Sequence, residues 1–146
     1  MFRGSTVATI DDKGRLKVPT DFRRALEERF GAEFFISSVA GDHALVYPMP
    51  VWEEIESRLS ALPETDRVKE RYLKRVSYFG QQSRLDGQGR LLVPTILRSS
   101  ASMSGEVVVS ARIDHLVVWN RERFEKRLTE HPFTDEDFSL LSERGI

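Results

Sequence analysis

Short apolar runs punctuated by turn residues occupy the first fifty positions. "VATI" (7–10) is followed by the turn "DDKG", and "RLKV" (15–18) alternates polar and apolar as a half-buried strand does. Alternate side chains of a strand share a face, so Leu16 and Val18 point to a core while Arg15 and Lys17 point outward. Pro19 holds Val18 extended and withholds a ladder donor, which ends the strand. "TDFRRALEERFG" then switches to helical spacing and closes on Gly31. "FFISSV" and "ALVYP", joined across "AGDH", predict a second hairpin.

The same order returns further along the chain. Asp11–Thr20 matches Asp86–Thr95 at Asp, Gly, Arg, Leu, Val, Pro and Thr with a constant offset of 75, and Arg23 and Arg98 keep that offset. "GDHALVY" (41–47) matches "IDHLVVW" (113–119) at an offset of 72. Two blocks in one order mark an internal duplication. Each copy reads strand–turn–strand, short helix, strand–turn–strand, and a unit of about 45 residues closes a poor core alone. The two copies are therefore expected to interlock as a pseudo-dimer within one chain, giving a mainly β fold with helices (α+β). The expected divisions are a first unit over 5–50, a helical connector over 51–79, a second unit over 80–123 and a C-terminal helical tail over 124–146. Trp52, Ile55, Leu59 and Leu62, then Val68, Tyr72, Val76 and Phe79, form the connector's apolar stripes, which read as core or as contacts between copies rather than as a cofactor box. In the tail, Phe124 and Leu128 lie four apart, and Thr134 and Asp137 have capping-box spacing.

Composition narrows the chemistry. At 146 residues, 40% hydrophobic and 31% charged, the chain reads as an ordinary globular protein. It has no cysteine, which excludes disulfides, thiolate zinc sites and cysteine nucleophiles and fits a reducing compartment. The opening "MFRGSTVATI" lacks the basic start and long apolar run of a signal peptide, and no stretch approaches the roughly 18 apolar residues of a membrane span. No nucleophile elbow, phosphate-cradling glycine loop or zinc-protease motif is present, so no enzyme, cofactor or small-molecule substrate is expected. His43 and His115 recur after an aspartate at the second turns and read as turn formers rather than metal ligands. Net charge is −1, which argues against indiscriminate nucleic-acid binding. Residues 129–146 carry −4 and the rest +3, so any anion-binding surface is local.

The first turns supply such a surface. Lys13, Arg15 and Lys17 cluster on a protruding tip, and Arg90 follows Gly89 as Arg15 follows Gly14. An arginine fork can grip a phosphate or read guanine O6 and N7, worth ~1–3 kcal/mol of discrimination per good pair. Asp11 and Asp86, four residues before their arginines, can fix the guanidinium's aim and oppose loose phosphate binding. From these residues alone the alternative stands that "GR" merely ends a hairpin with a solvated arginine. The copies also differ: Gln88 and Leu92 replace Lys13 and Lys17, and Leu92 is expected to pack against a helix or a neighbouring copy.

"MFRG", the two Asp-x-x-x-Arg turns, "GRLKVPT" with "GRLLVPT", and "YPMPVWEEIESRL" together resemble the MraZ family of bacterial transcriptional regulators, from Met1 to about Leu128. The resemblance implies two tandem SpoVT-AbrB-type swapped-hairpin units forming an intrachain pseudo-dimeric β-barrel with peripheral helices. It implies a cytoplasmic, nucleoid-associated repressor that binds double-stranded DNA at short direct G-rich repeats ahead of a division and cell-wall gene cluster including its own gene. It implies a ring-shaped homo-oligomer with no membrane partner, in which each weak tip gains avidity from its neighbours. The family's DNA-contacting arginines fall on Arg15 and Arg90, with acids at Asp11 and Asp86; Lys13 and Lys17 add to the first tip. The alternative is an antitoxin-like AbrB-fold regulator that binds both DNA and a partner protein.

Overall fold

A computed structural model describes residues 2–146; Met1 of the "MFRG" motif lies outside the described residues. Strand β1 (Ser5–Ile10) turns into β2 (Arg15–Lys17), helix α1 (Thr20–Phe30) follows, and β3 (Glu33–Ser37) pairs with β4 (Ala44–Pro48). The second copy repeats this as β5 (Gln81–Arg84), β6 (Arg90–Leu92), α4 (Thr95–Ser100), β7 (Gly105–Arg112) and β8 (His115–Asn120). Helices α2 (Met49–Ser60) and α3 (Arg67–Phe79) connect the copies, and α5 (Arg121–Glu130) and α6 (Asp135–Glu143) end the chain.

Among the described residues eight strands form one antiparallel sheet in the order β5-β3-β4-β8-β7-β1-β2-β6, a nearly closed barrel. Its pairings are exchanged between copies. β1 leaves its own unit to pair with β7, as Val7 opposite Val108, and β5 pairs with β3, as Phe34 opposite Ser83. β2 lies against β6 with Leu16 opposite Leu91, and β4 lies against β8 with Leu45 opposite Val117. These two like-with-like pairs sit on opposite sides of the barrel, where a pseudo-twofold axis passes. β6 approaches β5 at the closing seam through the Leu92 amide, which donates to Ser83 Oγ at 3.2 Å. The expectation of an interlocked α+β barrel is met.

The two copies share one barrel core. Leu16, Leu91, Ile36, Val109, Leu97 and Met103 are fully buried in one cluster drawn from both copies. Pro19 and Pro94 end β2 and β6 and open α1 and α4, whose Phe22, Leu26 and Leu97 close the barrel. Phe2 joins them, its ring edge-on to Phe22 at 5.6 Å. Trp52 of α2 stacks on Phe35 at 4.5 Å. Asp66 caps α3 by accepting from the Val68 and Lys69 amides. Of the α3 stripe, Val76 and Phe79 are buried and Tyr72 is half-buried, whereas Val68 is exposed. Thr134 and Asp137 form the expected capping box at the start of α6.

Candidate nucleic-acid interface

Each first turn is built from one aspartate and one glycine. The Gly14 amide donates to the Asp11 carbonyl at 3.0 Å and the Asp11 amide to the Arg15 carbonyl at 3.0 Å, a tight hairpin whose fourth residue has φ +84°. Such a value favours glycine. The Asp11 carboxylate accepts from the Lys13 and Arg15 amides through Oδ1 and from Arg15 Nε through Oδ2 at 2.8 Å. In the second copy Asp86 accepts from the Gln88 and Arg90 amides and from Arg90 Nε, again at 2.8 Å. The Arg15 amide is the first cause holding the Asp11 carboxyl below its usual range, aided by the guanidinium; the Arg90 amide does the same for Asp86. Both acids therefore stay ionised and hold the Nε side of each guanidinium.

The interlocked fold makes these two turns one surface. Because β2 runs antiparallel to β6, Arg15 stands opposite Leu92 and Lys17 opposite Arg90, while Leu16 and Leu91 face inward. Directly opposed Cβ atoms lie about 4.5–5.5 Å apart, so Arg15, Lys17, Arg90 and Leu92 form a single outward square. Arg90 Nη1 comes to 4.0 Å of Asp11 Oδ2, bringing both Asp–Arg pairs within reach of one another. The sequence suggests two separate tips per chain; the structure has one composite face. Lys13 and Lys17 are exposed at its first half. Lys17 Nζ donates to the Gln88 carbonyl, so this ammonium reaches across to the second turn.

Leu92, expected to pack against a helix or a neighbouring copy, stays open to solvent within this chain. It is 44% exposed and lies beside Arg15. The reason is register: Leu91, not Leu92, takes the inward position of this strand.

Two arginines on the helices complete the face, and the sequence marks them only through their shared offset. A Cβ on Gly14 would lie 2.3 Å from Arg98 Nη1, and one on Gly89 would lie 2.9 Å from Arg23 Cδ. Each turn therefore rests on an arginine from the other copy, and each backbone peptide crosses over as well: the Val18 amide donates to the Gly89 carbonyl and the Val93 amide to the Gly14 carbonyl. Arg23 Nε and Arg98 Nε are buried without a hydrogen-bond partner among the described residues.

The histidines lie on the opposite side of the barrel. His43 Nδ1 is 2.7 Å from Asp42 Oδ1 and its ring stacks on Trp119 at 4.5 Å; His115 pairs with Asp114 and stacks on Tyr47 at 4.7 Å. Each joins one copy's turn to the other copy's strand, which is packing. No group of three or more His, Cys, Asp or Glu side chains suited to a metal occurs among the described residues. Among the described residues no helix is long and apolar enough to cross a membrane.

A family model described as "MraZ protein, putative antitoxin-like" matches residues 1–75 and 80–145, one copy in each segment. A transcriptional regulator MraZ of Acidobacterium capsulatum is 43% identical over 146 residues, the whole of both chains. One of Koribacter versatilis is 44% identical over 147 residues, again the whole of both, and one of Escherichia coli is 33% identical over 132 residues, 89% of this chain and 86% of that one.

Proposed function

The chain belongs to the MraZ family, a family of transcriptional regulators rather than enzymes, and we propose that it represses transcription by reading short direct G-rich repeats ahead of its own division and cell-wall gene cluster. The observation that carries this reading is the composite face. Two guanidiniums, each aimed by an ionised aspartate at 2.8 Å, project from one rigid antiparallel strand pair. Arg15 and Arg90 read guanine edges, Asp11 and Asp86 position them, and Lys13 and Lys17 supply phosphate attraction.

In this reading residues 5–50 and 80–123 are two SpoVT-AbrB-like units, 51–79 a connector and 124–146 a tail. One face of four side chains is a small footprint, and the chain's net charge is −1. Specificity then needs several faces acting together, and linked sites gain ~10²–10⁴ in avidity when geometry lets them engage at once. A ring of copies presents identical faces at regular spacing to identical boxes at regular spacing. Apolar surface for contacts between copies exists at Leu62 and Val68 on the connector and at Phe133 and Phe138 in the tail. Such a regulator works in the cytoplasm on the nucleoid. The antitoxin-like alternative expects one barrel unit per chain and a disordered partner-binding tail; here both units share a single barrel and α6 is a capped helix.

A gel shift on a duplex from upstream of its own gene tests the reading. Binding is expected at a protein concentration that leaves a scrambled duplex free, and shifts should step with the number of repeats. Equal affinity for both duplexes would reject specific recognition.

A further inference from the structure

An exposed leucine by itself carries no message, since much of any protein surface is apolar. Leu92 is distinguished by where it stands. It is directly opposite Arg15 on a strand pair whose other two outward side chains, Lys17 and Arg90, are cations. Its inward neighbours Leu91 and Val93 are fully buried, so the strand cannot turn it to the core without exposing both. The equivalent side chain of the first copy, Lys17, leans across to the Gln88 carbonyl and bridges the turns. Leucine cannot make that bridge, and it stays 44% exposed between two groups suited to base edges and phosphates.

We propose that Leu92 reads a thymine, by packing against its C5-methyl group in the major groove. This rests on the DNA-reading function above. The major-groove edges of the four bases offer donors and acceptors, and the one apolar feature there is the thymine methyl. The C–H faces of deoxyribose are apolar too, but they are identical at every position and carry no sequence. A side chain without donors or acceptors next to a guanine-reading arginine thus selects thymine at one place and leaves a hydrogen-bonding base edge there unpaired. The first copy has no equivalent, so the face reads its two halves differently. That gives a direct-repeat box a polarity which the pseudo-twofold backbone does not.

The test is a duplex from upstream of the protein's own gene, prepared with thymidine or with deoxyuridine in its place. Uracil keeps the O4 acceptor and loses only the methyl. The full chain is expected to bind the thymidine duplex about fourfold more tightly per engaged face, the worth of roughly one buried methyl-sized group. Leu92→Ala and Leu92→Gln should bind both duplexes alike, at the wild-type affinity for the deoxyuridine duplex. Variants that keep the full preference for thymidine overturn the inference, as does a wild-type protein that separates operator from scrambled duplex yet ignores the methyl. A variant that binds neither duplex, or whose assembly changes in sedimentation, overturns it as well, because Leu92 would then be a structural or inter-copy contact. If the wild-type protein fails to separate operator from scrambled duplex, it is the DNA-reading function that has failed.

Discussion

The two Asp–Gly turns share a backbone and differ on their surface. In both, the aspartate takes the same two backbone amides and the same arginine Nε, and the cross-turn amide-to-carbonyl distance is 3.0 Å. Yet the first turn presents Lys13, Arg15 and Lys17 where the second presents Gln88, Arg90 and Leu92. The difference lies wholly at positions that point to solvent. A turn defined by one carboxylate and one left-handed glycine constrains its own backbone and the arginine after it, and it leaves the next outward side chain free to be chosen by whatever it touches. Opposition across the strands sharpens this. Lys17 and Arg90 are like charges face to face, relieved by Lys17 turning to Gln88 and Arg90 to Asp86, whereas Arg15 meets an uncharged leucine.

The two turns should differ most at the arginines. Arg15→Ala and Arg90→Ala should each lower specific affinity by about 5–150-fold, matching ~1–3 kcal/mol per bidentate contact. Arg15→Ala should lose more, because Lys17 stands beside Arg90 and keeps a cation there, while Leu92 offers none beside Arg15. Light scattering should show unchanged assembly; if it falls apart in either variant, these arginines hold structure rather than DNA.

Next come the glycines. Alanine at either position meets a positive φ, costing on the order of 1–3 kcal/mol. Gly14→Ala should unfold at lower urea than Gly89→Ala, since the added carbon meets Arg98 at 2.3 Å in one case and Arg23 at 2.9 Å in the other. Removing the obstructing side chain should narrow that gap, so Gly14→Ala with Arg98→Ala should be less destabilised than the two single losses added together.

Salt dependence separates the lysines. Lys13→Gln should flatten the slope of log affinity against log salt by roughly 0.9 per face if Lys13 meets one phosphate. Lys17→Leu should flatten it less, because its ammonium already serves the Gln88 carbonyl. Equal changes would mean that this bridge opens on binding DNA.

The smallest effect is one of pH. The arginine backbone amides first, and the guanidiniums with them, hold both carboxyls below their usual 3.8, so what the aspartates add to turn stability is complete above about pH 4 and is lost as pH falls through the lowered values. Carboxyl carbon shifts should titrate below 3.8 in both turns, with no change between pH 6 and 8. A midpoint at or above 3.8 in either turn would mean that its aspartate does not hold the arginine in solution.

The local features were legible along the chain because local chemistry sets them. Asp11 and Gly14 specify a hairpin wherever they stand, Pro19 and Pro94 end strands and start helices, and Thr134 with Asp137 caps α6. Strand alternation placed Arg15 and Lys17 outward and Leu16 and Val18 inward, and an offset of 75 revealed the duplication. The α3 stripe is apolar from Val68 to Phe79, yet Val76 and Phe79 are buried, Tyr72 is half-buried and Val68 is exposed. Periodicity tells which side of a helix is apolar, and not how far along the barrel extends to meet it.

Residue spacing alone specifies two copies of one unit, each with a tight Asp–Gly turn that presents an arginine. That the two turns are a single face, that Leu92 lies opposite Arg15 on it, and that Arg23 and Arg98 each support the other copy's turn comes from long-range pairing. The reason is physical. Turns and caps arise from interactions among residues a few positions apart, where spacing alone specifies geometry. The partner of a strand edge is chosen by burial of the whole core across 70 or more residues, and the pairing of β2 with β6 follows from closing Leu16 and Leu91 into one barrel.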